Sequence, residues 1–265
     1  MWDFEHAEAG QHFDIHYTIP AKCAEELESG QSDIGIIPAF TYAQIPGLAI
    51  LPNIAIAAKE SVRSILLICK KRREDVKTVA IDTSSRTSVA LTQIIFAKFL
   101  GGHRQFTPHP PDLKEMLKRH DAALLIGDSA LQVSLHDSPY HLYDLGKDWH
   151  SLTGKPFVFA FWAVRLDALQ RKARDLDLIA TFQDSRDHGL QPESIAVIAK
   201  EWAPKLNLSE AEITTYLTEN IHYFLDRDNH AGLQLFLSYA QEVGLIPSVP
   251  ELRFLGPVVF GGRRS

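Results

Sequence analysis

Lys77-Thr-Val-Ala-Ile-Asp-Thr-Ser-Ser-Arg-Thr-Ser-Val-Ala-Leu-Thr-Gln-Ile-Ile-Phe-Ala-Lys-Phe-Leu100, closed by Gly101-Gly102, is the stretch on which the reading of the fold turns. The β-branched run Thr78 to Ile81 predicts a short buried strand, and the almost unbroken apolar run from Val89 to Leu100 predicts a helix buried on most of its surface. Between them Asp82, Thr83, Ser84, Ser85, Arg86, Thr87 and Ser88 occupy a strand-to-helix turn at the carboxyl end of the strand. Ser and Thr cap a helix there, and its first free N–H groups point outward. Such a turn is an anion site in outline, since the helix dipole, orphan amides, hydroxyls and one guanidinium converge on a carboxylate or phosphate. An ordinary N-cap beside a solvated Arg is the other reading.

Working towards the N-terminus, Val62 to Cys69 and Leu48 to Ala57 predict strands, the former continuous enough to be buried on both faces. Asp33-Ile-Gly-Ile-Ile-Pro predicts another, after which Pro38-Ala-Phe-Thr-Tyr begins a helix. Before that, Phe13-Asp-Ile-His-Tyr-Thr-Ile alternates like a strand, and Pro20 opens a helix that Gly30 ends. His12 and His16 have the spacing of a helical metal pair, but on a strand that spacing separates them by about 13 Å, too far for a shared ion.

Towards the C-terminus, Phe106-Thr-Pro is followed by an amphipathic helix entered through Pro111, and Asp121-Ala-Ala-Leu-Leu-Ile-Gly-Asp predicts a buried strand ending in a polar turn. Asp128 is placed to cap Ser129 to Val133, or to bring a second helix N-terminus to the same cleft. Tyr143-Asp-Leu-Gly leads to a helical turn through Trp149, then to Pro156–Arg165, the most apolar strand signal of the chain. Beyond Arg165 helices dominate: Ser209-Glu-Ala-Glu212 fits a capping box opening a helix through Tyr216 to Leu225, and Gly232 to Val243 is amphipathic. Strand signals return at Leu252-Arg-Phe. This order suits an α/β protein of two lobes, one inserted in the other: residues 1–68 and 160–265 form the first and 69–159 the second, with Val62–Cys69 and Phe157–Val164 as the crossing strands.

Composition excludes several classes. A net charge of −6 without a Lys/Arg run argues against nucleic acid as partner, no apolar stretch reaches transmembrane length, and the acidic N-terminus is unlike a signal peptide. The reading is cytoplasmic, with no membrane partner. Two Cys, Cys23 and Cys69, in no metal or redox spacing read as inert thiols. Nucleotide-binding glycine motifs, zinc-hydrolase helices and hydrolase elbows are absent from the sequence, and its twelve His form no ligand set.

Taken in order, Asp33-Ile-Gly-Ile-Ile-Pro, Val62-Arg-Ser-Ile-Leu-Leu, Asp82-Thr-Ser-Ser-Arg-Thr-Ser-Val-Ala-Leu, Ala122-Ala-Leu-Leu-Ile-Gly-Asp-Ser-Ala-Leu, Tyr143-Asp-Leu-Gly and Leu152-Thr-Gly-Lys-Pro-Phe-Val-Phe-Ala-Phe-Trp-Ala resemble the chorismate dehydratase (MqnA) family of the futalosine route to menaquinone. The resemblance covers nearly the whole chain. It implies a two-lobed fold like the type 2 periplasmic binding proteins, a cleft that holds chorismate as a small-molecule substrate, and no metal or organic cofactor. The implied reaction dehydrates chorismate to 3-[(1-carboxyvinyl)oxy]benzoate. On this basis Ser84, Ser85, Arg86, Thr87 and Ser88 are expected to bind substrate, with Gly127 and Asp128 on the opposing rim and Ala39 and Thr41 after the first Pro-initiated helix start. A carboxylate-binding protein of the same shape and the sister enzyme that makes dihydroxynaphthoate are the rival readings.

Family members usually open with a strand carrying a Ser-Tyr-Leu-Asn-like segment whose Asn reaches the cleft, ahead of the stretch that Met1-Trp-Asp-Phe-Glu-His resembles. No residue from Met1 onward matches that Asn, so its role is not carried over, and among the residues present Ser85 is the candidate for catalysis. The expectation is an exposed sheet edge in the first lobe, with a start placed too late as the favoured explanation over a true truncation.

Overall fold

The computed structural model describes residues 1–135, 138–172 and 176–256. Helices α1 (Trp2–His6) and α2 (Pro20–Ser29) precede strands β1 (Ile34–Pro38), β2 (Leu48–Ala58), β3 (Ile65–Cys69) and β4 (Thr78–Ile81). Then come α3 (Arg86–Ile94), β5 (Gln105–Pro108), α4 (Leu113–Arg119), β6 (Ala122–Ile126), α5 (Asp128–Leu131), β7 (His141–Asp144), α6 (Leu145–Thr153) and β8 (Phe157–Arg165). Five helices follow: α7 (Leu166–Lys172), α8 (Leu178–Gly189), α9 (Pro192–Leu206), α10 (Glu210–Thr215) and α11 (Arg227–Glu242). Among the described residues no helix is long and apolar enough to cross a membrane.

Two sheets result. One runs β1-β8-β2 and is antiparallel; the other runs β5-β4-β6-β3-β7, with β4 parallel to β5 and β6. The strongly apolar strand segments occupy the interior positions, because a strand covered on both faces needs apolar residues throughout. Strand β3 is buried at all five positions and β8 lies at the centre of its sheet. Neither of these strands is shared between sheets: β3 lies in the second and β8 in the first. The chain therefore passes between sheets through residues 59–64 and through α6, a correction to the reading of β3 and β8 as crossing strands.

The first crossing is held by one carboxylate. Asp144 caps α6 by accepting from the Lys147 N–H at 3.0 Å, and it also accepts from the Ser61 hydroxyl at 2.6 Å and the Val62 and Arg63 N–H groups at 3.1 and 2.7 Å. Gly146 is required beside it, since a Cβ there would stand 2.6 Å from the Glu60 carbonyl oxygen. The Tyr143-Asp-Leu-Gly motif is thus a joint. Arg63, at a φ of 64°, extends its guanidinium to the carbonyls of Ala130, Leu131 and Val133, each at 2.9 Å, and closes the C-terminal end of α5.

Core aromatic packing ties the sheets to the helical C-terminal part. Trp149 of α6, Phe157 of β8 and Phe236 of α11 are fully buried, with ring centroids 5.0–6.3 Å apart, and Phe40 packs edge-on against Phe236 at 6.3 Å. That contact fixes the turn after β1.

Three sequence expectations change here. Residues 14–18 belong to no strand, since a strand exists only where a neighbour accepts its ladder. The helix opened by the Ser209 capping box ends with a π turn at Asn220, short of Leu225. The Ala55 and Ala57 N–H groups of β2 claim the carbonyls of Tyr223 and His222, and that pairing competes with further helix. Asp128 does not cap α5: Gly127 holds the N-cap position at a φ of 65°, and Asp128 is the exposed first residue of the helix.

Candidate active site

Strand β4 delivers its turn to the carboxyl edge of the parallel part of the second sheet, where ligands of open α/β sheets bind. The turn is built from its own side chains. Buried Asp82 accepts from the Ser84 N–H at 2.9 Å, and the Ser85 hydroxyl caps α3 by accepting from the Ser88 N–H at 3.4 Å and the Ser88 hydroxyl at 3.2 Å. Ser88 and Thr87 are fully buried. Ser84 is half-buried, and among the described residues its hydroxyl has no partner. The two adjacent serines therefore differ: the Ser85 hydroxyl supports the helix, and the Ser84 hydroxyl is uncommitted among the described residues.

The turn after β1 faces this one. The Phe40 N–H donates to Thr87 Oγ1 at 3.0 Å, so the first residues of the short 3-10 turn Ala39–Ala43 touch the first turn of α3. Ala39 and Thr41 are fully buried, and the Thr41 hydroxyl has no hydrogen-bond partner. A buried hydroxyl without a partner is costly, by about 1–3 kcal/mol. A second contact spans the same gap: Arg86 reaches Glu25 of α2 at 3.4 Å, both side chains remaining partly exposed.

Gly127 and Asp128 follow β6, the parallel neighbour of β4, so their turn lies beside the Asp82–Ser88 turn at the same sheet edge. The Gly127 N–H is committed to the Ser64 carbonyl at 2.7 Å. Ser64 in turn accepts a hydrogen bond from the Tyr216 hydroxyl at 3.1 Å, and burial pushes that phenol above its ordinary pKa. With only four residues, α5 provides no helix-dipole anion site of its own.

Thus Ser84 to Ser88 lie in one turn, Thr87 joins them to Ala39–Thr41, and Gly127 and Asp128 flank them. Sequence reading missed Phe40, whose contribution is a backbone N–H, and Glu25, which carries no motif. It also missed Arg63 and Tyr216, whose places depend on long-range packing that no local pattern announces. A cavity of about 1170 Å3 lies elsewhere, against the first sheet, and none of the expected site residues lines it.

A chorismate dehydratase of Thermus thermophilus is 28% identical over 249 residues, covering 88% of this chain and 88% of that protein. The chorismate dehydratase of Campylobacter jejuni is 25% identical over 227 residues, covering 86% of this chain and 83% of that one. Among solved structures, a Candida albicans protein described as having the generic periplasmic binding protein fold superposes with a TM-score of 0.60 at 12% identity, covering 98% of this chain and 93% of that one. The fold is therefore that of the periplasmic binding proteins. With residues 1–242 matching the family described as menaquinone biosynthesis, the chain belongs to that family.

Proposed function

We propose that the protein is a chorismate dehydratase, a carbon–oxygen lyase that converts chorismate to 3-[(1-carboxyvinyl)oxy]benzoate and water. The observation that carries this reading is the Asp82–Ser88 turn, with its uncommitted Ser84 hydroxyl, Arg86 and α3 N-terminus, tied by the Phe40–Thr87 hydrogen bond to the turn that holds the buried, unpartnered Thr41 hydroxyl. This donor set suits a dianion. The names of the two bacterial relatives support the same substrate.

The chemistry needs placement more than a strong base. Removing the C3 proton and the C4 hydroxyl makes the ring aromatic, so the elimination is downhill once the C3–H bond yields. The proton passes to the carboxylate of the substrate's own enolpyruvyl arm, the C4–O bond breaks, and the departing oxygen leaves as water after taking up a proton. Overall oxidation state does not change, so no redox partner is consumed. The protein's part is to hold both carboxylates, orient the arm over C3–H and exclude water. Arg86 and the α3 amides would hold one carboxylate, and Ser84 and Thr41 would donate to the other or to the leaving oxygen. Entry of a ring-sized substrate parts the two turns, exchanging the Phe40–Thr87 and Arg86–Glu25 contacts for contacts to substrate.

Purified protein incubated with chorismate, without added metal or nucleotide, should give the aromatic product by absorbance and chromatography. Binding without conversion over hours would favour a carboxylate-binding protein of the same fold.

A further inference from the structure

Residues 61–64, where the chain crosses from the first sheet to the second, are bonded from three directions. From the second sheet, the Gly127 N–H donates to the Ser64 carbonyl at 2.7 Å, and the Arg63 guanidinium donates to the Ala130, Leu131 and Val133 carbonyls. From the start of α6, Asp144 accepts from Ser61, Val62 and Arg63. The third grip comes from the helical C-terminal part. There the π turn Tyr216–Asn220, which follows α10, brings two side chains four positions apart to the same face. The Tyr216 hydroxyl donates to Ser64 Oγ at 3.1 Å, and the Asn220 amide donates to the Ser61 carbonyl at 3.3 Å.

That π turn is itself fixed to the first sheet. Directly after it, His222 exchanges both backbone bonds with Ala57 of β2, at 2.8 and 2.9 Å. A continuous path therefore runs from β2 through His222, Tyr216 and Ser64 to Gly127, whose turn flanks Asp82–Ser88 at the edge of the other sheet. Gly127 needs such support. Its φ of 65° and ψ of −133° are open to Gly alone, and among the described residues nothing beyond its chain neighbours lies within 4 Å of where a Cβ would stand. Its bonds, and not packing on that side, set where the turn sits. Tyr216 also packs against the cluster that includes Leu131 of α5 and Ile213 of α10, but apolar packing is non-directional, whereas the hydroxyl bond to buried Ser64 fixes a register.

We propose that Tyr216 is a positioning residue of the candidate active site: through Ser64, its hydroxyl sets the Gly127–Asp128 turn against the Asp82–Ser88 turn, so that a substrate held at one is oriented at the other. The inference rests on the dehydratase reading for its substrate, and on the bond path alone for its geometry.

Tyr216→Phe keeps the ring and its packing and removes only the hydroxyl. Ser64 retains its bond to the Val62 carbonyl at 3.4 Å, so the melting curve should be nearly unchanged. Turnover of chorismate should fall roughly tenfold in kcat with KM little altered, because Arg86 and the α3 turn still bind the substrate while its orientation is lost. Hydrogen exchange of the Gly127 amide should quicken roughly tenfold. Ser64→Ala breaks the same bond from the other side and should reproduce both effects, and the double variant should be no slower than either single one. Gly127 exchange unchanged in both variants would overturn the proposal. So would kcat losses that multiply in the double variant, since the two hydroxyls would then act by separate routes, and so would parental turnover in Tyr216→Phe, the result expected if the ring only packs. Should the parent protein leave chorismate unconverted, the dehydratase reading falls, and Gly127 exchange decides by itself whether Tyr216 holds the turn.

Discussion

Thr87 Oγ1 accepts the backbone N–H of Phe40 at 3.0 Å, joining the first turn of α3 to the turn that follows β1. Thr87 is fully buried and Phe40 nearly so, and the Phe40 ring is anchored on Phe236. The bond is therefore the point at which the hydroxyl-rich turn of one sheet is registered against the other sheet.

Thr87→Val keeps the shape and removes the acceptor. It leaves the Phe40 N–H buried and unpaired, which should destabilise the protein by about 1–3 kcal/mol in denaturant unfolding, while Thr87→Ser should restore most of the loss. Chorismate turnover should fall with Val and recover with Ser. Undiminished stability in the Val variant would show that the two turns are held together by other contacts.

Ser84→Ala and Ser85→Ala should part company. Ser85 supplies the N-cap of α3 and also receives the Ser88 hydroxyl, so its loss should lower stability by about 1 kcal/mol. Ser84→Ala should leave the melting curve nearly unchanged and reduce chorismate affinity or turnover. The opposite pattern would exchange the two roles.

How much of this could be read from the sequence depends on whether the decisive interaction was local. Thr78–Ile81 and the helix entered at Pro20 have the bounds that their own residues announce, and the helix at Ser209 starts where its capping box places it, because β-branching, the fixed φ of Pro and a reciprocal cap act within a few positions. Residues 14–18 have a strand's alternation without a strand's partner, and Ile221–Leu225 leaves helix because β2 claims its carbonyls. In the site, the hydroxyl-rich turn was legible, but not which serine capped it. That division depends on rotamer and on the position of α3, as does the pairing of Thr87 with a backbone group 47 residues away.

Stability in acid should depend on Asp121, the residue before β6, which meets the start of β4 at the end of that strand opposite the site. Its carboxylate accepts from the Lys77 and Thr78 N–H groups at 2.9 and 3.2 Å and pairs with Lys71 at 2.9 Å. Partial burial opposes ionisation, but these bonds outweigh it and hold the carboxyl down to about 2. A depressed pKa means that the folded state binds fewer protons than the unfolded one, so the contribution is present above the ordinary Asp range and is lost as pH falls from about 4 towards about 2. Asp226, bonded by His222 and Asn229, is lowered in the same direction. Asp121→Asn should lower Tm at neutral pH, flatten its fall below about pH 4, and leave chorismate turnover unchanged. An identical Tm–pH curve for the variant would remove Asp121 from this role.

Arg86 and Glu25 distinguish a ligand contact from a latch. Exposed ion pairs contribute about 0–1 kcal/mol, so breaking this one should hardly change stability in the absence of ligand. A charge-assisted contact from Arg86 to a substrate carboxylate is stronger, and its loss should cost about 1.5–3 kcal/mol of binding, or roughly 10- to 150-fold in Kd. Arg86→Ala should therefore bind chorismate much more weakly by calorimetry, and the upward shift in Tm that chorismate gives should shrink accordingly. Glu25→Gln removes the competing partner, so it should leave chorismate affinity equal to or tighter than that of the parent chain. If both substitutions weaken binding to the same extent, Arg86 serves only to hold α3 against α2 and the carboxylate is bound by the α3 amides and hydroxyls alone.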